Sequence, residues 1–119
     1  MIVGIDLGTT NSLIAILEKG RPKLFTGEDG SSLIPSVVQF RENQDVIVGT
    51  EAKRTQTENL SRTIYSAKRF LGRGLSDVQD WIRLLPFDFS PSSEQMIRFQ
   101  AGEKSYTPIE IGSLVLKEL

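Results

Sequence analysis

The chain has 119 residues, which suits one small domain, and its 39% hydrophobic and 24% charged residues are typical of a globular protein. A formal net charge of -1 argues against a nucleic-acid-binding surface. The sequence contains neither cysteine nor histidine, which excludes disulfides, thiol chemistry and histidine-based catalysis. The N-terminus has no basic segment before its short apolar run, so we expect no signal peptide, no membrane span and a cytoplasmic location.

Short apolar runs predict strands in the first part of the chain, at residues 2–7, 13–17, 23–26, 36–41 and 46–48. A glycine- and serine-rich loop at residues 27–32 follows the first three strands. We therefore expect the region after this loop to pack as a separate subdomain.

The second half mixes helical and extended patterns. Thr50 is predicted to cap a short helix that ends at residue 56, and an apolar stripe of Ile64, Ala67 and Phe70 predicts a helix over residues 63–71. Residues 75–85 fit a helical turn that runs into an extended segment, and residues 87–89, 96–101 and 105–106 fit strands. Thr107, Pro108 and Glu110 form a strong helix start. The chain stops inside this last helix without a terminating residue, which we interpret as truncation.

The most informative segment is the turn between the first two predicted strands. Gly8 allows close approach of the backbone to an anion, and Thr9, Thr10 and Asn11 add short side-chain donors. Asp6 supplies a hard oxygen ligand for Mg²⁺, directly or through water. These residue types are suited to a phosphate group and its magnesium ion.

The alternative interpretation is an ordinary hairpin turn. Two observations weigh against it. A carboxylate such as Asp6 is depleted inside apolar strands unless something compensates its charge. The Thr9-Thr10 pair is also not a favoured two-residue hairpin turn. The residues alone leave the two interpretations about equal.

Residues 4–12 resemble the first phosphate motif of the actin-like ATPases, in the form found in the seventy-kilodalton heat-shock chaperones. Three later segments resemble the same chaperones in family order: a Pro-Ser strand at 33–40, a glycine-to-helix step at 48–54, and the segment with the catalytic lysine at 66–73. The resemblance implies an actin-like ATPase fold of the α/β class with a ribonuclease H-like motif and an incomplete first lobe. Residues 1–35 and 105–119 would then belong to a core subdomain, and residues 36–104 to a peripheral one.

The same resemblance implies that the chain binds ATP or ADP with Mg²⁺. Gly8, Thr9, Thr10 and Asn11 would contact the phosphates, and Asp6 would hold Mg²⁺ through water. Lys68 would be catalytic and would contact the γ-phosphate and the attacking water. Without the resemblance, Lys68 would be interpreted as part of a solvated basic helix face.

At the level of function, the resemblance implies the N-terminal segment of an ATP-dependent chaperone of the stress response and protein folding. Its partners would be client peptides, a J-domain co-chaperone and a nucleotide exchange factor. A second phosphate motif of the Asp-Leu-Gly-Gly-Gly-Thr type is absent from these residues. We therefore expect the longer parent to hydrolyse ATP and this chain alone to be inactive. The first strand is interior in the resembled fold, so we also expect this chain to self-associate, through that strand edge or through exchange of the C-terminal helix.

Two alternatives from the same superfamily share the first motif: a sugar or acetate kinase, and a filament-forming bacterial actin. The kinase is not expected to carry the Lys68 segment together with the Pro35–Val38 strand. Within the chaperones, residues 72–79 and 85–87 look more like the branch specialised for iron–sulfur cluster assembly.

Overall fold

A computed structural model describes residues 1–91, 93 and 96–119 as a mixed α/β protein with three small antiparallel sheets. The first sheet contains β1 (Val3–Leu7), β2 (Asn11–Glu18), β3 (Arg21–Leu24) and β4 (Ile34–Pro35). Ser12 pairs with Leu7 of β1 on one side and with Ile34 of β4 on the other. Strands β3 and β4 therefore follow one another along the same edge of β2.

The second sheet has the strand order β6-β5-β7, with β5 (Val37–Phe40), β6 (Val46–Val48) and β7 (Thr63–Tyr65). All four residues of β5 are buried. A short helix, α1 (Thr50–Arg54), and two 3₁₀ turns, Gln56–Glu58 and Leu60–Arg62, connect β6 to β7. The central strand is thus covered by neighbouring elements on its whole length.

The remaining elements are a 3₁₀ turn at Ala67–Phe70, α2 (Leu75–Ile82), a hairpin of β8 (Phe99–Ala101) and β9 (Lys104–Tyr106), and α3 (Pro108–Glu118). The core joins them to the second sheet through Val38, Ile64, Phe70, Phe99 and Ile111. The rings of Phe70 and Phe99 meet edge to face at 5.5 Å. Helix α3 packs on the Ala67–Phe70 turn, on β5 and on β1, and so links the first two sheets.

The predicted start of α3 is confirmed. The Thr107 hydroxyl accepts a hydrogen bond from the Glu110 backbone N–H at 3.2 Å, and the Glu110 carboxylate accepts one from the Thr107 N–H at 3.4 Å. Pro108 occupies the first helical position. Strand predictions for residues 2–7, 13–17 and 46–48 also agree with β1, β2 and β6 within two residues at each end.

Three local predictions in this part of the chain were wrong. Residues 63–71 form β7 and a 3₁₀ turn instead of a helix, because Thr63 and Ile64 pair with β5. Gly49, not Thr50, is the N-cap of α1. The third strand is Arg21–Leu24 instead of residues 23–26, because Lys19 and Gly20 make the turn at positive φ.

The stretches between residues 75 and 101 also differ from expectation. Residues 75–82 are regular helix, and Phe89 contributes only an isolated bridge to Phe99 instead of a strand over 87–89. The strand predicted over residues 96–101 is shorter and corresponds to β8. None of the helices in the described part of the chain combines the length and apolar character that a membrane span requires.

Candidate functional site

The site is centred on loop 8–11, which joins the first two strands. Gly8 lies so close to the returning chain that an added Cβ would overlap the Asn11 carbonyl oxygen. Its φ lies outside the left-handed region, so close approach, not backbone conformation, requires glycine here. Thr9 and Asn11 are half-buried and Thr10 is exposed.

Among the described residues, no hydrogen bond within the protein uses the N–H groups of Thr9 or Thr10. Donors of this kind, next to one another in a turn, are available to an anion. The loop therefore offers free backbone donors to an anion, and the close approach that requires Gly8 is to the returning chain at Asn11.

Lys68 reaches this loop from the 3₁₀ turn that follows β7. Its ammonium group donates a hydrogen bond of 2.8 Å to the Leu7 carbonyl oxygen, although the two residues are 61 positions apart. Lys68 follows β7 through Ser66, whose φ of 56° and ψ of 28° place it in the left-handed region. This turn redirects the chain after β7, so that the 3₁₀ segment carries the lysine toward the end of β1.

Loop 8–11 separates two clefts. One has a volume of about 300 Å³ and is lined by Leu7, Gly8, Lys68 and one side of α3 between residues 108 and 116. The other has a volume of about 270 Å³ and is lined by Thr10, Lys53 and Tyr65. Thr9 lines both clefts. A small polar ligand at the loop could therefore be reached by side chains from both sheets.

Asp6 lies in β1, paired with Leu13, and its side chain is exposed. No ion pair between described residues involves it, and its carboxylate accepts no hydrogen bond from them. The described residues contain no group of three acidic, histidine or cysteine side chains that could hold a metal ion. The Asp6 carboxylate is therefore free to contact a cation directly or through water.

The structure brings Gly8, Thr9, Thr10, Asn11 and Lys68 together, and it places Asp6 two residues before the loop. Sequence reasoning assigned no role to Ser12 or Ser36. Their hydroxyl oxygens are 2.8 Å apart and buried beneath the loop. The signal that could have found Ser36 is its position next to Pro35, at the start of a predicted strand.

Similarity to known proteins extends over nearly the whole chain. The profile of the Hsp70 protein family matches residues 2–119, which include loop 8–11 and Lys68. Two proteins called Chaperone protein DnaK, from two strains of Thermus thermophilus, are each 42% identical over 117 residues. The match covers 98% of this chain but only 19% of each relative. On the match to residues 2–119, the chain belongs to the Hsp70 family.

Proposed function

We propose that this chain is the N-terminal part of the nucleotide-binding domain of an ATP-dependent Hsp70 chaperone. The observation that carries the proposal is the 2.8 Å hydrogen bond from the Lys68 ammonium to the Leu7 carbonyl, at the entry of loop 8–11. It brings a positive charge from the 3₁₀ turn after β7 to the end of β1, next to the free backbone donors of the loop. Such a pairing of charge and donors is suited to phosphates.

The proposed fold is the first, incomplete lobe of an actin-like ATPase. Residues 1–35 and 105–119 would form the core subdomain, and residues 36–104 the peripheral subdomain. In support of this division, β1, β2 and β3 form one sheet, and α3 packs on β1. Strands β5, β6 and β7 form a separate sheet within residues 36–104.

In the proposed site, the N–H groups and hydroxyls of loop 8–11 bind the β- and γ-phosphates of ATP, or the β-phosphate of ADP. Asp6 holds Mg²⁺ through water, and the ion supplies positive charge that neutralises the phosphate oxygens. Gly8 lets the backbone approach these oxygens, and Thr9, Thr10 and Asn11 add side-chain donors. The exposure of Asp6, two residues before the loop, fits this role.

Lys68 is the proposed catalytic residue. Phosphoryl transfer develops negative charge on oxygens of the transferred group, and a charge fixed in advance lowers the barrier because it need not reorganise. The ammonium group is held by a backbone carbonyl and forms no ion pair with the described acidic residues. A lysine in this position can therefore orient on a γ-phosphate oxygen and on the attacking water.

The proposed partners follow from the family. ATP hydrolysis would control the binding and release of client peptides by another domain of the longer protein, in the cytoplasm, with a J-domain co-chaperone and a nucleotide exchange factor. This chain corresponds to 19% of the DnaK relatives, so it carries only part of that machinery. The sugar kinase and bacterial actin alternatives are not favoured, because the Hsp70 profile covers residues 2–119.

The test uses the protein expressed from the complete reading frame that encodes this chain. We expect Mg²⁺-dependent ATP binding, slow hydrolysis, and a change in affinity for an unfolded peptide between the ATP and ADP states. A protein that phosphorylates glucose, glycerol or acetate with ATP, and whose peptide affinity does not depend on the nucleotide, would refute the proposal.

A further inference from the structure

A buried pair of serines, Ser12 and Ser36, lies directly beneath loop 8–11. The Ser36 hydroxyl donates a hydrogen bond of 2.8 Å to the Gly8 carbonyl oxygen. The Ser36 backbone N–H donates another, of 2.9 Å, to the Thr10 carbonyl oxygen. One residue of the neighbouring strand segment therefore binds two of the carbonyls of the loop.

Ser12 completes the arrangement. Its hydroxyl lies 2.8 Å from the Ser36 hydroxyl, and its side chain is fully buried. A hydroxyl has one proton, and that of Ser36 is already directed to Gly8, so Ser12 must be the donor in this contact. The direction of both protons is thus fixed by the Gly8 carbonyl.

The hydrogen bonds to the loop carbonyls also determine the direction of the neighbouring backbone N–H groups. In a planar trans peptide, the carbonyl of one residue and the N–H of the next point in opposite directions. The Gly8 carbonyl points to Ser36, so the Thr9 N–H points away from it. The Thr10 carbonyl also points to Ser36, so the Asn11 N–H points away as well.

We propose that Ser36, supported by Ser12, is a positioning residue that turns the loop carbonyls inward and the Thr9 N–H group toward the phosphates. The inference deepens the proposed nucleotide site and rests on it. A phosphate is repelled by carbonyl oxygens and attracted by N–H groups, so a peptide that flips in this loop exchanges attraction for repulsion. The serine pair prevents that flip.

The experiment measures binding of ADP and of adenosine, both with Mg²⁺, to the protein from the complete reading frame by titration calorimetry. Ser36→Ala removes the bond to Gly8 and is expected to weaken ADP binding by about tenfold. Adenosine has no phosphates, so its affinity should change by less than about twofold. Ser12→Ala leaves both bonds of Ser36 to the loop intact and should weaken ADP binding by about twofold to threefold.

Ser93→Ala is the matched control, because Ser93 is also buried and its hydroxyl donates to the Ser90 carbonyl at 2.8 Å, outside the proposed site. It should leave both affinities unchanged. Equal losses for ADP and adenosine in Ser36→Ala, or an equal loss in Ser93→Ala, would overturn the positioning role alone. A wild-type protein that binds ADP no better than adenosine would overturn the proposed phosphate site with it. If Ser36→Ala does not fold, the ADP-selective loss in Ser12→Ala decides the question.

Discussion

The Lys68 ammonium group, in the 3₁₀ turn after β7, donates a hydrogen bond of 2.8 Å to the backbone carbonyl of Leu7 in β1. Leu7 is the last residue of β1, and Gly8 follows it in the loop. The lysine is exposed, yet its charged end is not free in solvent. The contact therefore holds the positively charged ammonium group of Lys68 at the start of the proposed phosphate site.

Lys68→Ala should separate catalysis from binding in the full-length protein. The charge acts mainly where negative charge develops in the transition state, so hydrolysis should fall by about 10²- to 10³-fold. Nucleotide affinity should stay within about threefold. Single-turnover ATP hydrolysis measures the first quantity. Arg69→Ala, at an exposed neighbouring position, is the control and should hydrolyse ATP normally. A normal rate in Lys68→Ala would return this residue to the solvated-face interpretation.

Gly8→Ala tests the close approach in loop 8–11. Its methyl group would overlap the Asn11 carbonyl oxygen, so the loop must shift. We expect loss of phosphate-dependent nucleotide binding and a decrease of about 1–3 kcal/mol in the free energy of unfolding. The control is Gly4→Ala in β1, where a Cβ meets no atom within 4 Å and φ is not positive. Similar behaviour of the two variants, measured by calorimetry and denaturant unfolding, would contradict this account of Gly8.

Asp6→Asn removes the proposed Mg²⁺ ligand while it keeps the size of the side chain. ATP affinity should fall by about 10- to 100-fold with Mg²⁺ and hardly change in excess EDTA. Asp80→Asn is the control, because Asp80 is an exposed carboxylate on α2. Equal ATP affinities of wild type and Asp6→Asn in Mg²⁺ would remove Asp6 from the site.

Local patterns in the sequence were sufficient to predict some elements of the structure. The capping residues Thr107 and Glu110 determine where α3 begins, and both bond partners lie within four residues. The turn between β1 and β2 was also predicted, because Asp6 and Gly8 interrupt an apolar pattern in a characteristic way. In these places the interactions that form the structure are local.

Other features depend on contacts between distant residues. The spacing of Ile64, Ala67 and Phe70, three residues apart, predicted a helix. In the structure, Ile64 lies in β7, which pairs with β5, and a left-handed turn at Ser66 leads into the 3₁₀ turn that contains Ala67 and Phe70. The contact of Lys68 with Leu7 spans 61 positions, and that of Ser36 with Gly8 spans 28. No local pattern contains either contact, so the sequence alone could supply only the residues and the family resemblance.

Gln39→Leu should destabilise the fold without touching the site. The buried amide of Gln39 donates to the Thr55 carbonyl and to the Thr63 hydroxyl, each at 3.1 Å, and its oxygen accepts from Arg41 at 3.1 Å. Leucine removes all of these hydrogen bonds, each worth about 1 kcal/mol, so the free energy of unfolding should fall by about 2–3 kcal/mol. Gln100→Leu, which loses one exposed bond to Gly102, should cost less than about 1 kcal/mol. Denaturant unfolding measures both, and equal small losses would show that the network contributes little.

The last prediction concerns the 119-residue chain studied alone, which we expect to self-associate through β1. The first sheet has two exposed edges. The edge formed by β3 contains Pro22 and the charged side chains of Arg21 and Lys23, features that discourage pairing with another strand. The β1 edge instead carries Val3 and Ile5, which are 43% and 51% exposed.

An apolar strand of this kind, paired only with β2 among the described strands, can recruit a second copy. Ile5→Lys should therefore shift the chain toward monomer in sedimentation velocity and light scattering. Leu24→Lys, a similarly exposed position on β3, should leave the association unchanged. A monomeric wild-type chain at about 100 μM would refute the association itself. Equal dissociation by both lysine variants would show that β1 is not the edge that pairs.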